Sequence, residues 1–82
     1  MNVSVTYHVV VVFDRNDEGD LMPGEPQEAA TAGAAERRAR ALAVEHAGTV
    51  AFSRTGDPTT GDFLDAVVLA QFGDVDLHAL SE

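Results

Sequence analysis

Asp14, Asn16, Glu18 and Glu25 fall at positions 1, 3, 5 and 12 of a twelve-residue window, with Gly19 at position 6 and Leu21 at position 8. Oxygen ligands at alternating positions can wrap a hard cation, a glycine permits the sharp bend, and a final carboxylate can bind in bidentate fashion. Cation binding, calcium above all, is therefore the first chemistry this spacing raises. The competing reading is a solvated acidic hairpin turn with Gly19 in the left-handed conformation, an ordinary use of such residues in a chain with 14 acids.

The same window is similar to the calcium loop of EF-hand proteins, a family that flanks the loop with a helix on either side. Here a Val-rich segment leads in, and Pro23-Gly24 breaks any helix before Glu25. Other candidates carry less. His8, His46 and His78 lie in different elements without metal-ligand spacing, and Cys is absent. His46 is expected to pack at the end of a helix stripe. Gly56 and Gly61 have the separation of a phosphate-loop pair, yet Asp62-Phe63 stands where Lys and a hydroxyl residue are needed. Ser53, Arg54, Thr55, Asp57, Thr59, Thr60 and Asp62 form a polar loop of the composition that binds small ligands or simply turns. Arg37, Arg38 and Arg40 make a small positive patch, read as a solvated helix face or as a dock for an acidic segment. No residue is assigned a catalytic, cofactor-binding or metal-ligating role, no cofactor is implied, and the chain is read as not an enzyme.

These residues need elements to position them. Val3, Val5, Tyr7, Val9, Val11 and Phe13 alternate with Ser4, Thr6, His8, Val10 and Val12, the period of a β-branched strand. Its first face is apolar throughout and its second becomes apolar at Val10, so it belongs inside a sheet. Leu21-Met22 predicts a short returning edge strand limited by Pro23 and Pro26, followed by an extended linker over Glu25–Ala30. Thr31 is a candidate N-cap for a helix over Ala32–Ala47 with an Ala-rich stripe, ended by Gly48. Thr49–Ser53 and Asp62–Phe72 read as a closing hairpin. The expected fold is α+β: a four-stranded antiparallel sheet, ββαββ in the order 2-1-4-3, with one helix on one face. Residues 1–73 form the domain and 74–82 a tail.

One helix leaves the other sheet face bare. On these assignments Val10, Val12, Phe63, Val67 and Leu69 point to it and form the candidate interface. Either the tail, with Val75, Leu77 and Leu80, folds across them, or two copies pack together or share a continuous sheet. Nine tail residues are few for so many large groups, which favours a homodimer, with a different protein partner as the other possibility.

Composition bounds what remains. Eighty-two residues allow one small domain, and 13 of its apolar residues are Ala, so the core is thin. Five Arg against 14 acids give a net charge of −9, which argues against nucleic-acid partners. An acidic surface imitating nucleic acid fits that charge but needs a regular spacing of acids that is missing. The longest apolar run, Val9–Phe13, is far short of a membrane span, and the absence of Cys fits a reducing compartment, so a soluble cytoplasmic protein is expected. Lys and Ile are missing while Ala, Val, Gly and Arg abound. Together the segments Tyr7–Arg15, Ala34–Ala43 and Ala51–Pro58 resemble small bacterial proteins of unknown function from GC-rich proteobacteria. That resemblance implies the order of elements and no activity. The function expected is a small interaction or regulatory domain that self-associates, the alternative being a cation or small-ligand binder using the 14–25 loop.

Overall fold

The β-branched alternation forms β1 (Val5–Arg15), an eleven-residue strand. It is followed by β2 (Leu21–Pro23), β3 (Gln27–Ala29), α1 (Ala32–Leu42), β4 (Gly48–Asp57), β5 (Asp62–Phe63), β6 (Val67–Gly73) and a single 3-10 turn at Leu77–Leu80. The structure is a computed structural model and describes residues 4–80.

The α+β class holds, with one helix on an antiparallel sheet, but six strands replace the expected four. They occupy four lanes. β1 and β4 pair at the centre, from Val5 opposite Gly56 to Phe13 opposite Gly48. β2 and β3 share the outer side of β1, separated by the Pro23–Pro26 interruption. β5 and β6 share the outer side of β4. The expected Glu25–Ala30 linker thus contributes a strand, and the expected Asp62–Phe72 strand is split at Leu64–Ala66.

The order 2-1-4-3 is corrected as well: the C-terminal strand lies at the edge and the Thr49 segment lies inside. Gly48 to Ala51 are all buried. Thr49 conceals this in the sequence, because its hydroxyl reads as polar. In the fold it donates to the Ala39 carbonyl oxygen at 2.6 Å, so it is buried with its hydrogen bond made.

Thr31 caps α1, its hydroxyl accepting the Ala34 amide at 3.0 Å. The helix stops at Leu42 rather than at Ala47. The segment after it bends toward β1, where Asp14 accepts from the Ala47 amide at 3.3 Å and from His46 Nδ1 at 2.8 Å. Ala35 and Ala39 pack on Val10, Ala29 and Ala51, with Ala34, Leu42, Leu69, Ala70 and Phe72 around them. The small-on-small packing expected of the Ala stripe is realised at Ala70, while Ala66 lies exposed outside β6.

The helix therefore covers the even-numbered face of β1, the reverse of the expectation. On the other face Val11, Phe13 and Val50 are also buried, surrounded by Val9, Leu21, Phe52 and Val75. Here the chain closes the sheet with its own C-terminal segment. The Asp74 amide donates to the Ala47 carbonyl at 2.9 Å, and Arg15 meets the Asp74 carboxylate at 3.1 Å. Gly48 and Gly73 permit this close crossing: a Cβ on Gly48 would collide with the Asp74 backbone, and Gly73 has a φ of +69°.

Candidate functional site

The acidic 14–25 loop forms the hairpin turn that was the competing reading. Gly19 adopts φ +84°. Asn16 Oδ1 accepts the amides of Glu18 at 3.0 Å and Asp20 at 2.9 Å, and the Asn16 amide donates to the Asp20 carbonyl. Asp14 faces the other way, toward His46, whose hydrogen bond holds its carboxyl below the ordinary value. Two of the four oxygen donors are thus engaged inside the fold. Among the described residues no group of three or more His, Asp or Glu is placed to hold a metal ion.

The strand register assembles a polar strip that no local spacing signals. On the helix-side face, beyond Val10, His8 Nδ1 lies 2.7 Å from Ser53 Oγ, and Thr6 Oγ1 lies 2.8 Å from Thr55 Oγ1. Next to Thr55 is an open depression of about 330 Å³ lined by Ser4, Gly56, Asp57, Thr60, Asp62 and Leu64. The imidazole–hydroxyl pair has the contact distance of a base beside a nucleophile. Among the described residues no carboxylate makes a hydrogen bond to His8. Asp57, an acid of the polar loop, is committed to its own turn: Thr59 donates through Oγ1 at 2.6 Å and through its amide at 2.8 Å, which lowers the carboxyl's pKa.

The five expected interface residues do not share a face. Val10 is fully buried beneath α1, and Leu69 packs at the margin of the same cluster. Val12 is half-buried against Gly24. Phe63 is half-buried beside the Tyr7 ring and beneath Arg54. Only Val67 is strongly exposed, at 62%. α1 covers the face that carries Val10, and Phe63, opposite Gly56, takes the other face; a register shift between Ala51 and Phe52, which pair with Ala70 and Val68, leaves Leu69 as the extra residue and sets Val67 opposite Ser53. A bulge of this kind reverses the alternation along a strand.

The two sheet edges differ. The β2/β3 edge carries Pro23 and Pro26, which cannot donate to a further strand. The outer side of β6 pairs with nothing among the described residues, and its sequence, VVLAQFG, has neither charge nor Pro. Leu64 is 68% exposed, and Val67 and Val68 lie beside it in the chain, also exposed. Above the edge, Arg40 stacks on the Phe72 ring at 5.6 Å. A groove of about 270 Å³ runs there between α1 and β6, lined by Gly33, Glu36, Arg37, Arg40, Ala70 and Phe72.

Fold and site together define an α+β domain with one blocked and one open sheet edge. Compared with known proteins, the chain matches no family model, no curated protein and no solved structure. Among the described residues no helix is long and apolar enough to cross a membrane.

Proposed function

We propose that this chain is a non-enzymatic cytoplasmic interaction module that self-associates, with the outer edge of β6, including its Val67 and Val68, and the preceding Leu64 as the contact. The observation that carries the reading is an uncharged, Pro-free, seven-residue edge strand that itself exposes Val67 and Val68 and is preceded by exposed Leu64. Natural sheets guard such edges with charges, prolines or a covering segment, because free amides and carbonyls template another strand. This chain guards its other edge and leaves β6 open. Area points the same way. The protomer exposes 5479 Å², against about 4,700 Å² for a compact chain of its mass. The excess belongs to a thin, extended protomer with surface in reserve for a contact.

The test is molar mass by light scattering over a wide concentration range. The wild type is expected to reach twice 8.7 kDa. Val67→Lys, at a position 62% exposed in the protomer, is expected to stay at the monomer mass. A wild type of 8.7 kDa at every concentration overturns the reading, and so does a dimer indifferent to lysine at both Val67 and Val68.

A further inference from the structure

The geometry points to a two-fold contact in which the β6 strands of two copies run antiparallel, with Asp65 of each copy set against Arg40 of the other. This rests on the reading of β6 as the contact edge and specifies its occupant and orientation.

The edge carries charge of opposite sign at its two ends. Asp65 is exposed in the break just before β6, with Asp62 nearby in β5. At the far end Arg40 lies over Phe72, and Arg37 lines the same groove, two arginines against its single acid, Glu36. The remaining arginines are engaged: Arg15 with Asp74, Arg38 with the Glu28 carbonyl, Arg54 with the Leu64 carbonyl. Among the described residues neither Arg37, Arg40 nor Asp65 has a salt bridge, in a chain with 14 acids and five arginines. Antiparallel pairing brings the acidic end of one strand to the arginine end of its neighbour, twice by symmetry. Parallel pairing turns one copy over, so that Asp65 lies beside Asp65, where like charges are disfavoured, while the two α1 helices with Arg40 stand on opposite faces and neither acid meets an arginine. The edge is thus complementary to itself in one orientation only, the requirement for a closed, isologous dimer. In that arrangement both α1 helices stand on the same face and Leu64 of one copy approaches Phe72 of the other.

Charge reversal tests the pairing. Each protomer carries −9, so added salt relieves the overall repulsion while it weakens the specific pairs. Reversal at chosen positions separates the two effects. Asp65→Arg and Arg40→Asp are each expected to weaken self-association roughly tenfold, since two attractions become two repulsions. The combined variant Asp65→Arg/Arg40→Asp restores opposite charges and is expected to return to within about threefold of the wild type. Both positions are exposed, and far-ultraviolet circular dichroism of each variant confirms that it is folded. If the wild type dimerises and Val67→Lys disrupts it, yet the single reversals have no effect or the combined variant fails to recover, the orientation is wrong and the edge reading stands. A wild type that is monomeric throughout removes both.

Discussion

Asp14 ties the end of β1 to the segment leaving α1, through His46 at 2.8 Å and the Ala47 amide. The His46 hydrogen bond lowers the carboxyl pKa from its ordinary 3.8. A carboxyl with a depressed pKa in the fold contributes stability above its unfolded value and loses it as pH falls through the folded one. Asp14→Asn is therefore expected to lower the urea midpoint at neutral pH, and the gap to wild type is expected to close in acid below 3.8. A gap that stays constant with pH denies the carboxylate this role. Local chemistry made some residues legible in the sequence: Thr31 is the N-cap and Gly19 takes the left-handed turn. The partnership of Asp14 with His46 was not, because 32 residues separate them and only the fold brings them together. The same holds for His8 and Ser53, which strand register alone makes neighbours.

Among the elements, periodicity reveals a strand but not which of its faces a helix will cover. β1 is apolar on its odd face throughout, yet α1 chose the even face, where Val10 meets Ala35, Ala39 and Ala51 closely. The decisive feature was tertiary: the C-terminal segment competes for the odd face and closes it with Val75. Strand order was lost for a related reason, since Thr49 reads as polar until Ala39 is seen to accept its hydroxyl. The bulge at Leu69 leaves no mark in composition and reverses the expected sides of Val67 and Val68. The closure of the odd face depends on the Gly48–Asp74 crossing. Gly48→Ala places a methyl group into the Asp74 backbone. It is expected to cost about 1–3 kcal/mol, the usual range for overpacking a tight contact. Amide exchange should show faster exchange at Asp74 and in the strands beneath Val75, while the amides inside α1 keep their relative protection. Protection unchanged at Asp74 would place the cost elsewhere.

At the level of the whole molecule, the tail closes the end of the odd face at Val11, Phe13 and Val50, so the case for association rests on the β6 edge and on shape. The protomer measures 48 × 25 × 16 Å with a radius of gyration of 13.4 Å, where a compact domain of this length has about 12 Å. An eleven-residue helix is about 16 Å long and cannot cover a sheet that runs most of the long dimension. A thin, elongated protomer with an Ala-rich core keeps little stability in reserve, and a second copy at β6 would add to it by mass action. Apparent thermal stability then depends on protein concentration. Each tenfold increase is expected to raise the wild-type Tm by roughly 3–6 °C, from the mass-action gain and the modest unfolding entropy of a domain this small. Val67→Lys, with its edge blocked, is expected to melt at one temperature at all concentrations and to match the wild type only at high dilution. Circular dichroism melts across a hundredfold dilution read both curves. Wild-type curves that coincide would mean that the open edge contributes nothing to the fold's stability, and that its exposed valines remain in solvent.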